Sequence, residues 1–66
     1  MGLLEKAMEL LGTESIEQRE VIIAVKLEGR TYRELASEAE VSEDAIRMRL
    51  RRALDSLTTI YRKLEN

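Results

Sequence analysis

Apolar residues recur along this chain at helical spacing, and short polar or glycine-bearing interruptions divide them into four groups. Leu3, Leu4, Ala7, Leu10 and Leu11 predict a first helix over about residues 2–11, with Gly12 as its stop. Ser15 has Gln18 three positions on, the spacing of a capping box, and starts a second helix from about Ile16 to Glu28. Its face is Val21, Ile22, Ala24, Val25 and Leu27, and Gly29 ends it. Thr31 and Glu34 repeat the capping-box spacing and open a short third helix, about Tyr32 to Glu38, that buries Leu35, Ala36 and Ala39. A turn at Ala39, Glu40 and Val41 leads to Ser42, the N-cap of a fourth helix, with Val41 filling the gap between the two helices. Glu43 and Asp44 sit in its first turn, where the helix dipole favours acids.

Nothing breaks the fourth helix before the terminus. Taking Ile46, Leu50, Ala53 and Leu57 as its buried line points Met48 and Arg52 outward, with Asp44, Ala45 and Arg51 beside them and Arg47 and Arg49 on the flanks. Leu50, Leu54, Leu57, Tyr61 and Leu64 also step as a heptad seam. Twenty-two residues reach roughly 33 Å, longer than a minimal helix-turn-helix needs. Either the first helix folds back over the end of the fourth, or a second copy of the chain packs there as a homodimer. The predicted fold is all-α: one four-helix domain over residues 1–66, with a helix-turn-helix at about 31–54, no winged element and a long C-terminal recognition helix.

Composition narrows the function. The 66 residues contain no Cys, His, Pro, Phe or Trp. Thiolate nucleophiles, imidazole bases and the usual zinc ligands are therefore missing, which argues against an enzyme and implies no cofactor or metal. Carboxylate pairs such as Glu43 and Asp44 read as helix-start electrostatics. No apolar run approaches the ~20 residues that span a bilayer, and no signal-peptide pattern opens the chain. The expectation is a soluble cytoplasmic protein with no membrane partner.

Charge sharpens this picture. The net charge is −2, yet residues 1–44 carry eleven acidic and five basic side chains, a balance of −6, whereas residues 45–66 carry two and six, a balance of +4. Four arginines, Arg47, Arg49, Arg51 and Arg52, fall within six residues of the fourth helix. Arginine suits a helix presented by a tight turn, because its planar fork bonds guanine O6 and N7 together or grips a phosphate. Met48 and Ala45 can meet a thymine methyl. Arg30, Thr31, Tyr32 and Arg33 lie where a helix start meets the sugar-phosphate chain, and Ser42 caps the reading helix. The competing reading is a solvated face with surface pairs: Arg51 with Asp55, Arg47 with Asp44, and Arg49 bridging to Glu34 or Glu38. Tyr32 reads as a packing residue between helices, and Tyr61 as core or interface.

The residues Arg19-Glu20-Val21, Glu28-Gly29, Tyr32, Glu34-Leu35-Ala36, Val41-Ser42, Ile46-Arg47, Arg49-Leu50 and Arg52-Ala53 make the chain resemble region 4 of the bacterial sigma-70 family. The spacing is most like the extracytoplasmic-function branch, without insertion over about 36 of the 66 residues. The resemblance implies double-stranded promoter DNA as partner, read at the −35 element, together with core RNA polymerase and often an anti-sigma factor. It places Arg47, Met48, Arg49 and Arg52 at the DNA and Thr31 and Tyr32 at the phosphates. Glu40 stands where the family commonly has glycine, which predicts a strained or reshaped turn. Asp44 and Ala45 replace a frequent Gly-Thr pair, and Leu54 replaces a frequent arginine. Polymerase-binding region 2 is absent, so the chain reads as an excised domain or a small stand-alone relative. The alternative function is a protein-interaction module, a mimic of the sigma domain that binds polymerase, an anti-sigma factor or itself without reading DNA.

Overall fold

A computed structural model describes residues 2–66 as four helices joined by short turns. They are α1 (Leu3–Glu14), α2 (Ile16–Ile22, prolonged by a π-helical turn Ile23–Leu27), α3 (Tyr32–Ala39) and α4 (Glu43–Glu65). Every other helix packs on α4. Its line Ile46, Leu50, Ala53 and Leu57 is buried as the periodicity predicts, with Ala7 and Leu11 of α1, Ile22 of α2 and Ala36 of α3 also enclosed. Burying a Leu or Ile side chain contributes ~1.5–3 kcal/mol. Ala7 and Ala53 are fully covered, and such small side chains let α1 and α4 approach closely. Leu54, Tyr61 and Leu64 lie half-buried against the same cluster. Leu10, Thr13 and Glu14 border one groove with Ile60, Lys63 and Leu64, so the C-terminal ends of α1 and α4 lie side by side. Of the two arrangements open to the heptad seam, the fold takes the one in which α1 covers it.

Three details of the helix ends differ from the sequence reading. Gly12 does not stop α1, which continues to Glu14 and leaves only Ser15 as a hinge in extended conformation. A Cβ at position 12 would lie 2.7 Å from Arg19 Cδ, a contact that the exposed Arg19 side chain relieves by moving aside. Ser15 Oγ accepts from the Gln18 amide at 3.2 Å, but among the described residues Gln18 returns no bond, so only half of that capping box forms. The end of α2 widens into i→i+5 bonding, with Glu28 N donating to Ile23 O at 2.9 Å. The extra residue per turn shifts the apolar face: Ile23, Ala24 and Val25 are half-buried and Leu27 stands 75% exposed instead of joining the core. Gly29 then takes a left-handed φ of 68° and lets the Arg30 amide reach back to Ala24 O at 2.9 Å.

The turn between α3 and α4 is a Schellman motif. Glu40 adopts φ 56°, ψ 45°, its amide donates to Ser37 O at 3.3 Å, and the Val41 amide donates to Ala36 O at 3.0 Å. Glu40 thus carries a side chain in the conformation that glycine adopts freely, the strain expected of this position. Thr31 forms its complete capping box with Glu34, and Ser42 Oγ accepts from the Ala45 amide at 3.1 Å. Among the described residues no helix is long and apolar enough to cross a membrane, and no group of three or more acids is placed to hold a metal.

The two left-handed positions make opposite predictions. Glu40→Gly removes a steric cost of about 1–2 kcal/mol and loosens the unfolded chain by less. It is expected to stabilise the fold by about 0.5–1 kcal/mol, raising Tm by a few degrees in thermal melts. Gly29→Ala places a Cβ at φ 68° and is expected to lower stability by about 1–2 kcal/mol in the same measurement.

Candidate nucleic-acid interface

The capping bonds of Ser42 and the Schellman turn fix where α4 begins and at what angle it leaves α3. The buried line Ile46, Leu50 and Ala53 then fixes its rotation, and the outward side chains follow from 100° per residue. Arg47, Met48, Arg49, Arg51 and Arg52 are all exposed, Met48 to 50%. Asp44 is exposed as well, whereas Ala45 is half-buried and offers less surface than the helical projection gave it. Among the described residues Arg49, Arg51 and Arg52 make no ion pair. The expected Arg51–Asp55 pair is not formed.

Arg49 does not bridge to Glu34 or Glu38. Arg30 takes that position instead. Its Nη1 donates to Glu38 Oε1 at 3.1 Å and its Nη2 reaches Glu38 Oε2, while Nε lies 3.7 Å from Glu34 Oε2. This bidentate pairing ties the turn before α3 to the last turn of α3, so Arg30 braces the helix-turn-helix rather than standing free for phosphate. The bond joins residues eight apart along α3, a proximity that no helical spacing rule announces. Arg49 lies instead toward α2, bordering a groove of about 610 Å³ whose lining includes Glu17, Glu20, Glu28 and Glu38. With Arg52 it also borders a smaller groove beside Ser15, Glu17 and Gln18.

Arg47 is held at one end of its fork and over one face of it. Nη1 donates to Asp44 Oδ1 at 2.7 Å, and the guanidinium carbon sits 5.1 Å from the centre of the Tyr32 ring. The Arg47–Asp44 pair is the one surface pair of α4 that the sequence reading anticipated and that forms. Tyr32 is half-buried and packs against the core, as expected of a residue between helices. Thr31 and Ser42 spend their hydroxyls on capping, and Arg33 is exposed. The Tyr32–Arg47 stack was missed, although the two lie one helix apart across the turn.

A tight turn presenting an exposed, arginine-bearing helix is a DNA-binding geometry rather than a catalytic one. The family described as sigma-70, region 4 matches residues 15–58, two thirds of the chain. The matched span runs from the N-cap of α2 to the third quarter of α4 and contains the whole helix-turn-helix. No curated protein and no solved structure matches the chain. Domains of this kind are helix-turn-helix units that bind DNA in transcription initiation in association with RNA polymerase, and they are regulatory rather than enzymatic. The chain belongs to the sigma-70 region 4 family.

Proposed function

We propose that this domain reads a short double-stranded promoter sequence of the −35 kind by laying the first half of α4 in the major groove. The observation that carries the reading is the row Met48, Arg51 and Arg52, exposed along one side of a capped helix and unpaired among the described residues. Arg52 and Arg47 are assigned to base edges or to the phosphates beside them, Met48 and Ala45 to thymine methyls, and Arg49 and Arg51 to the flanking backbone. Asp44 faces the groove from the first turn. Thr31, Tyr32 and Arg33 lie at the start of α3 against the opposite strand's phosphates, and Ser42 fixes the start of the reading helix. Arg30 contributes by bracing α3. The unbroken spacing favours the extracytoplasmic-function branch of the family.

Affinity for unrelated duplex is expected to be low, since acids outnumber bases and few phosphates are neutralised. The grooved face between α2 and α3, rimmed by Glu17, Glu20 and Glu28, repels DNA and suits association with polymerase through basic surface. Selection from randomised duplexes at two salt concentrations tests the assignment. An enriched motif and an affinity that falls with salt are expected, and binding with no sequence preference would sink it.

Arg47→Ala and Arg52→Ala are each expected to weaken the selected duplex by about 1–3 kcal/mol while leaving unrelated duplexes less affected. Equal weakening on all sequences, measured by fluorescence anisotropy, reassigns that arginine to phosphate. Asp44→Asn removes an acid beside the DNA and loosens Arg47, so unrelated duplex is expected to bind roughly threefold tighter at low salt, a gain lost near 1 M salt.

A further inference from the structure

We infer that Tyr32 is a positioning residue for Arg47: its ring, together with the Asp44 carboxylate, sets the guanidinium in its DNA-facing pose before any duplex arrives. The inference rests on the base-reading role proposed for α4. Its basis is the contrast among the arginines of that helix. Arg49, Arg51 and Arg52 have no ion-pair partner among the described residues, while Arg47 is fixed from two directions, by a 2.7 Å bond to Asp44 and by the Tyr32 ring 5.1 Å away. An arginine over a ring face is attracted by the ring quadrupole, and its planar fork lies flat on that face.

The ring is a firm platform because it is not itself a free surface side chain. Tyr32 occupies the first turn of α3, directly after the Thr31 capping box, and packs against the cluster that includes Leu50, Ala53 and Leu57. Its position is therefore tied to the same buried line that sets the rotation of α4. Asp44 engages only Nη1, and the remaining N–H donors of a guanidinium with five stay available for a base edge or a phosphate. A side chain already held in its working rotamer loses less freedom on binding than one gathered from solution, worth about fivefold in affinity. That gain applies where Arg47 meets its partner in this one pose, so it falls on the preferred sequence more than on others.

Tyr32→Phe keeps the ring, and Tyr32→Leu keeps the apolar packing without the quadrupole. Duplex binding of both is measured with preferred and scrambled sequences, alongside the side-chain N–H resonances of Arg47. Expected are a wild-type ratio of preferred to scrambled affinity that Tyr32→Phe retains and Tyr32→Leu lowers about fivefold. Arg47 resonances should be moved upfield by the ring in the wild type and in Tyr32→Phe, and that upfield displacement should be lost in Tyr32→Leu, where the Asp44 bond remains. A folded Tyr32→Leu with full sequence preference overturns the inference, as does a Tyr32→Phe that loses as much as Tyr32→Leu. If Tyr32→Leu does not fold, the wild-type Arg47 resonances decide alone, and an unshifted position rejects the stack. A wild type with no preferred duplex overturns the base-reading role itself, and the resonances, which need no DNA, tell that failure from this one.

Discussion

The one stripe of α4 formed by Ile46, Leu50, Ala53 and Leu57 is the surface on which α1, α2 and α3 all rest. With so short a chain, the described residues form no second core to take over if that stripe is lost, and those enclosed are mostly small or medium aliphatics. Among the described residues Leu11 is the single bulky side chain fully shut from solvent. The stripe also does the work of orientation, because burying one side of a helix leaves no choice about which residues stand on the other. Stability and presentation are therefore the same contact seen from two sides.

Much of this was legible from the residue pattern. The buried line of α4 follows from 3.6-residue periodicity, and the starts of α2, α3 and α4 follow from the Ser or Thr that precedes each. What was not legible depended on proximity between segments. Gly12 looks like a helix stop until the Arg19 side chain is seen lying across it. Leu27 looks like core until the widened turn of α2 rotates it outward. Whether the heptad seam of α4 faces α1 or another chain is a matter of tertiary arrangement, which spacing alone leaves open.

The candidate interface was legible in its residue types and not in its connections. The exposed arginines of α4 were found from the helical projection. Their partners were not: Arg30 took the Glu38 contact expected of Arg49, and Tyr32 turned out to be a floor under Arg47. The first spans α3 from the turn before it to its last turn, and the second crosses from α3 to α4, so only the Tyr32–Arg47 contact depends on the angle set at Glu40. The left-handed Glu40 marks the place where local preference yields to that angle. An ordinary residue there is tolerated because the two reverse bonds of the turn and the packing of Ala36 hold it.

The uneven placement of acids and bases gives the molecule a permanent electric moment. Acidic residues dominate the first three helices, and bases dominate from position 45 onward. Near a polyanion such a body feels a torque as well as a force: its acidic end is turned away while the α4 side is drawn in. At ordinary ionic strength the field reaches only about 10 Å beyond a surface, so the turning happens in the last moments of approach. A slightly negative protein can in this way reject most collision geometries with a duplex and still favour the productive one.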